Sequence, residues 1–319
     1  MTETAIVTGS APAARPFRPG AVARNRRRRR AEQIFRVIGI LATFVGLVTL
    51  AALLLDLAVQ GIPRLSLDFF FNFPSRRASQ AGILSAWVGS LLVIFVTALI
   101  GVPLGVASGI YLEEYAPKNV LTNIIEINIS NLAGVPSIIF GLLALGLFVY
   151  GIGTGRSIFT AGLTLALLIL PIIVVATREA IRAVPDALRD AALAIGATKW
   201  QVTRDHVLPA ALPGILTGVI IGTSRALGET APLITIGALT FIAFLPAPPV
   251  KTEFPFVSFD WLWDGFTVLP IQAFNWVSRP GDDFHANAAA AGIVLLFITL
   301  ALNAVAIYFR YRLRRKLQW

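Results

Sequence analysis

Between Arg36 and Asp56 the chain carries 19 residues without a single charge. At about 1.5 Å of rise per residue, a helix over that run covers roughly 28 Å, close to the ~30 Å of a bilayer's hydrocarbon core. Similar charge-poor runs lie between Arg77 and Glu113, Glu126 and Arg156, Arg156 and Arg178, and His285 and Arg310. A further apolar region, 206 to 250, is interrupted by "SRALGET". In lipid every backbone polar group has to be satisfied within the chain, so runs of this kind dictate helices. Only 14% of the 319 residues are charged, and the mean hydropathy is +0.76, which places the chain among integral membrane proteins rather than soluble domains. The first run is read as an uncleaved anchor, because a signal peptide would have a shorter apolar region followed by a small-residue cleavage site.

Six spans with both termini on the cytoplasmic side satisfy the charge distribution. Of the 27 Lys and Arg residues, 20 then fall inside, six outside, and Arg225 alone in the membrane. Splitting 206 to 250 into two spans would turn the basic C-terminus outward, against the positive-inside tendency. The region is therefore expected to be one span bent at Pro232, with an extension or re-entrant segment beyond it. Residues 1–33, with "RNRRRRR", are expected to form a disordered cytoplasmic tail attracted to anionic lipid, 34–60 the first helix, 80–310 the transmembrane core and 311–319 a basic cytoplasmic end. The basic residues gather at the edges of apolar runs and do not interleave with aromatics on a soluble face, so nucleic acid is not an expected partner; membrane lipid is. Without cysteine, and with only His206 and His285, there is no disulfide framework, thiolate metal site or Cys nucleophile. His206 is expected to pack in its loop and His285 to lie on the surface. Glu126 is read as interfacial, and Trp261, Trp263 and Trp276 as an interfacial belt.

Two runs carry glycine ladders, Gly101, Gly105 and Gly109, and Gly214, Gly218 and Gly222, whose spacing puts each set on one helix face where backbones can approach. Within the second ladder's span lies "SRALGETAPL", 224 to 233. Arg225 and Glu229, four apart, share a helix face and can pair, which lowers the cost of an intramembrane charge. A purely structural ion pair is one reading. The other is a path for an anion, which meets the planar donor fork of Arg225 while Glu229 holds that arginine and neutralises it between cycles, with Ser224 and Thr230 as further donors.

The segment 179 to 210 is cytoplasmic in this topology. Pro185 can open a helix, "DALRDAALAIG" has strong helix formers ending at Gly196, and "TKWQVTRDHVL" forms a second short helix before Pro209. Leu188, Ala191, Ala192 and Ile195 make one face apolar. The spacing Asp190-Ala191-Ala192, three residues, Gly196, then Leu208-Pro209 resembles the EAA loop of ABC importer permeases, whose pattern is E-A-A, three residues, G, nine residues, I-x-L-P. Asp190 stands for the glutamate and His206 for the isoleucine. "RALGETAPL" (225 to 233) and "FTVLPIQAFNW" (266 to 276) are similar to the PstA-type permease subunit of phosphate importers.

That resemblance implies an all-α integral membrane protein with six transmembrane helices and a MetI-like core. It implies translocation of inorganic phosphate across the bacterial inner membrane and an ATPase-coupling loop formed by Asp190, Ala191, Ala192, Gly196, Leu208 and Pro209. The implied partners are a PstC-type permease, two copies of a PstB-type ATPase and a PstS-type phosphate-binding protein. No G-x-x-x-x-G-K-[ST] occurs, and "GIGTGR" at 151 to 156 lacks the lysine, so ATP and Mg are expected on the partner ATPase, with no cofactor, metal or catalytic residue in this chain. A permease for sulfate, molybdate or phosphonate stays open as an alternative, as does a self-sufficient secondary anion transporter. Against the latter stand the lack of internal duplication and a long inner loop that would have no purpose.

Overall fold

The computed structural model describes residues 21–251 and 256–316, and divides into two compact units, residues 1–56 and 57–319. Among the described residues five helices are long and apolar enough to cross a membrane, and a bent helix pair brings the number to six if it counts as one broken span. The protein is thus a helical, multi-pass membrane protein.

The first unit is dominated by α1 (Ala21–Gly61). It starts well before residue 34, so part of the expected disordered tail is helical, in keeping with the helix propensity of Ala and Arg; residues 1–20 lie outside the described residues. Its apolar side chains from Ile34 to Leu55 are exposed on every side. A helix that is apolar all round needs lipid or a protein core for solvent.

In the second unit a short α2 (Leu67–Phe71) leads to α3 (Leu84–Ile110), which runs on through a π-helical turn, Tyr111–Tyr115. Then come α4 (Val120–Leu132), α5 (Ser137–Ala144) and α6 (Ile158–Arg182). The run between Glu126 and Arg156 is not one straight helix. α4 and α5 meet at 107° because Gly134 loosens the chain and Pro136 denies Val135 the helical region.

α6 lies between α3 and α9 (Leu208–Gly228), and both glycine ladders close on it. A Cβ on Gly105 would stand 2.8 Å from Ile173 Cβ, one on Gly109 2.6 Å from Thr177 Cβ, and one on Gly222 3.2 Å from Ile173 Cγ1. One on Gly214 would stand 2.7 Å from Ala180 Cβ, and Gly218 faces Ala176. Ile173 is fully buried between the two ladders. Gly105→Val is expected to destabilise by about 1–3 kcal/mol, the cost of overpacking, seen as a lower thermal midpoint in detergent. Gly46→Val, with nothing within 4 Å of its Cβ position, should leave the midpoint unchanged.

The surface plate that precedes α9 is α7 (Asp186–Ala194) followed by α8 (Lys199–Gln201). The expected second short helix is not separate. α8 passes through a π-helical turn, Val202–Val207, straight into α9, giving one 30-residue helix from Lys199 to Gly228. Pro209 has no N–H to give an i−4 partner, and the wider turn just before it absorbs that loss.

Beyond α10 (Ala231–Thr235) the chain is irregular up to α11 (Leu269–Val277). Lys251 and Ser258 both donate to Asp260 Oδ2, at 2.8 and 2.6 Å. The Lys251 bond first, then Ser258, holds the Asp260 carboxyl below its ordinary range. A depressed folded pKa means that this contribution is complete above the unfolded value of about 4 and is lost as pH falls through the lower folded value. Protease resistance of the 256–263 segment should therefore be flat from neutral pH down to about 5 and decline only below about 4.

α11 packs on α12 (Asp282–Lys316), the last helix, which also contacts α9. Two members of the expected tryptophan belt belong to the interior instead. Trp276 is fully buried with its ring centroid 6.0 Å from that of Phe69, and Trp261 is buried beside Phe95; only Trp263 is exposed. Both are held by Phe and aliphatic neighbours on adjoining helices, a stronger pull than an interfacial position offers. His285 is on the surface as expected, but His206 is exposed rather than packed, since the π-helical turn points Val202, Thr203 and Val207 inward in its place.

Candidate functional site

α9 stops at Gly228, and Glu229 adopts an extended backbone (φ −79°, ψ 129°) before α10 begins, with Pro232 in its first turn. The expected bend at Pro232 is thus a full break three residues earlier, where Gly228 makes continuation costly and Pro232 resets the next helix. Arg225 and Glu229 pair across it, Nε to Oε1 at 3.1 Å. Their side chains are 38% and 18% exposed, so the pair opens to one side of the bundle. Only Nε of Arg225 is engaged among the described residues. Both Nη groups are free to form the two parallel bonds that a phosphate or carboxylate accepts. Nothing stands within 4 Å of where a Gly228 Cβ would be, so the backbone beside the pair is bare.

The flanking hydroxyls differ. That of Thr230 makes no hydrogen bond among the described residues, whereas Ser224 Oγ lies 2.7 Å from Ile220 O and 2.6 Å from Asn303 Oδ1 on α12. Ser224 is spent on helix contact.

At the other end of α9, the plate has the expected stop. Gly196 is left-handed (φ +89°), Gly196 N–H donates to Leu193 O, and Ala197 N–H to Ala192 O. Ala192 is buried with Ile181, Val184, Val202 and Val207, against which Leu208 packs, and Pro209 is half-buried. Asp190 and Ala191 are exposed, and Asp190 has no polar partner among the described residues. The apolar face therefore splits. Ala192 turns inward, while Leu188, Leu193, Ile195 (83% exposed) and Trp200 look out. Exposed apolar side chains grouped in this way suit contact with another protein.

A charged cluster beside the plate was missed by sequence reasoning. Glu113 and Glu114, at the end of the α3 helix, face three arginines of α6 and α7. Arg178, with a side chain 9% exposed, reaches Glu113 at 3.3 Å and Glu126 at 2.7 Å. Arg182 reaches Glu113 at 3.0 Å, and Arg189 reaches Glu114 at 3.0 Å while also donating to the carbonyls of Ile181 and Val184. Glu126 is thus an ion-pair partner tying α4 to α6 rather than a lone interfacial acid. A cavity of about 450 Å³ opens between α4 and α6, lined by Glu126, Ser130, Asn131, Arg178, Glu179 and Arg182 among others. Tandem acids ending one apolar run and arginines four apart ending another were the readable signal, but nothing in a 65-residue separation says that they meet. Among the described residues no group of three or more His, Asp or Glu could hold a metal.

Comparison with known proteins adds three findings. The model of the binding-protein-dependent transport system inner membrane component family matches residues 101–319. Among curated relatives, the chain is 35% identical over 285 residues to the probable ABC transporter permease protein YqgI of Bacillus subtilis, covering 88% of this chain and 95% of that one. It is 32% identical over 281 residues to the phosphate transport system permease protein PstA of Pasteurella multocida, covering 87% and 93%. Among solved structures, the MetNI methionine ABC transporter in inward-facing form superposes with a TM-score of 0.52 at 18% identity, over 72% of this chain and 94% of that one, a likeness of fold.

Proposed function

The chain belongs to the binding-protein-dependent transport system inner membrane component family, and from that premise we propose that it is the permease subunit through which an ATP-driven importer passes inorganic phosphate across the bacterial cytoplasmic membrane. The observation that carries the anion is Arg225: a guanidinium beside a helix break in an apolar span, pinned through Nε and offering both Nη groups. The relatives named as phosphate permeases supply the identity of that anion.

In this reading the plate faces the cytoplasm, both termini lie inside, and the exposed Leu188, Leu193, Ile195 and Trp200, with Asp190 and Ala191, dock on a partner ATPase that binds ATP and Mg. A second permease of PstC type covers the open side of the Arg225–Glu229 pair. A PstS-type binding protein delivers phosphate at the opposite face, and two PstB-type ATPases supply the energy. Closing of the ATPases moves α7, and the ion pairs from Arg178, Arg182 and Arg189 to Glu113 and Glu114 carry that movement to α3 and α6. The bundle then exposes its path to each side in turn. Phosphate displaces no ligand from the Nη groups of Arg225, and Glu229 takes back the undivided charge once it leaves.

The test is phosphate uptake in cells with no other phosphate system, with and without this chain, under excess sulfate, molybdate or phosphonate. Loss of uptake on deletion, with no competition by the other anions, is the expected outcome. Full uptake without the chain, or competition by another oxyanion, would sink the phosphate assignment.

A further inference from the structure

α9 and α12 touch through two polar rungs, Ser224–Asn303 at 2.6 Å and, seven residues on along each helix, Thr217–Arg310 at 2.9 Å. Residue numbers fall on one helix as they rise on the other, so the two are antiparallel. At the second rung a cavity of about 360 Å³ opens, lined by Pro213, Gly214, Thr217, Ile307, Arg310 and Tyr311.

Arg310 differs from the other arginines toward this end of the molecule. Arg178, Arg182, Arg189 and Arg204 each face a carboxylate. Arg310 has a neutral hydroxyl as its only partner among the described residues, bonded through Nη1, and no acid lines the cavity. It is half-buried, it closes the charge-free run that starts after His285, and Arg312, Arg314, Arg315 and Lys316 follow it. A guanidinium at the end of an apolar run stands where acyl chains give way to headgroups. Basic pockets between helices at that level suit anionic lipid.

We propose that this cavity between α9 and α12 is a binding site for an anionic phospholipid, its headgroup phosphate on Arg310 and an acyl chain against Ile307 and Pro213. The apolar wall decides between lipid and free phosphate. A small hydrated anion gains nothing from Ile307 and Pro213, whereas an acyl chain buries them. The site goes beyond the transport reading and does not use the Arg225–Glu229 pair.

The protein, purified in mild detergent with the partners it retains and with mixed phosphatidylglycerol and phosphatidylethanolamine, is examined by native mass spectrometry for retained lipid. The unaltered complex should keep phosphatidylglycerol in preference, and Arg310→Gln should lower its retention about fivefold, the worth of about one cation at a membrane surface. Arg312→Gln should change it little. If Arg310→Gln does not assemble, Ile307→Trp, which fills the cavity and keeps every charge, should give the same loss. Equal losses in Arg310→Gln and Arg312→Gln would reduce the effect to diffuse charge and overturn the site. So would retention that Arg310→Gln or Ile307→Trp leaves intact, or displacement of the lipid by excess inorganic phosphate. Phosphate uptake is not read, so failure of the transport assignment would leave this result standing.

Discussion

Arg225→Ala is expected to cut phosphate uptake strongly while the permease still assembles, since the anion loses the guanidinium donors that the helix break presents to it. The loss has two sources. The anion forfeits the donors it would meet, and Glu229 is left as an unpaired charge with an 18% exposed side chain. Arg225→Lys keeps the charge but not the fork of donors, and should recover only a small part of the uptake. Ser224→Ala should leave transport near normal, because that hydroxyl already faces Ile220 O and Asn303. Transport in Arg225→Ala at the normal level, with normal protein in the membrane, would return the pair to a structural role.

The second large effect is expected at the plate. Arg189→Ala removes the one cation that faces Glu114 among the described residues; the Glu114 side chain is 9% exposed, and breaking a buried ion pair on one side costs about 3–5 kcal/mol. It also frees the carbonyls of Ile181 and Val184 that Arg189 holds at the turn into α7. The plate should come loose from the end of α3, and ATP hydrolysis by the partner should continue without phosphate uptake. Asp190→Lys acts differently. Asp190 is exposed and without a polar partner among the described residues, so the fold should survive while assembly with the ATPase weakens. Purified complexes, assayed for both ATPase retention and transport, separate the two. If Asp190→Lys leaves assembly and coupling intact, the plate does not dock where its exposed face suggests.

Much of this could be read from the chain because the deciding signals are local. Runs without charge set the spans, Gly196 supplied the left-handed stop, and residues four apart placed Arg225 next to Glu229. Both glycine ladders correctly implied close packing, though not that they close on the same helix around Ile173. What escaped depends on contacts between distant segments. Trp276 reads as an interfacial aromatic until Phe69, more than 200 residues earlier, is brought against it. Glu126 reads as an edge acid until Arg178 is placed 2.7 Å away. The break between α4 and α5 was legible in Gly134 and Pro136, but a hydropathy run of span length hides a 107° turn. At the candidate site, composition could place an arginine in the membrane, whereas its free Nη groups and the engagement of Ser224 needed the geometry of α9 and α12.

As a member of its permease family, this chain is expected to be one part of an ATP-driven importer. That expectation is tested most directly by pulling the tagged protein from its native membrane in mild detergent and identifying every stoichiometric partner. Recovery of a soluble P-loop ATPase and a second, different permease is the expected result. Recovery of the chain alone, or only with copies of itself, would contradict it and turn the Arg225–Glu229 pair into the site of a self-sufficient carrier.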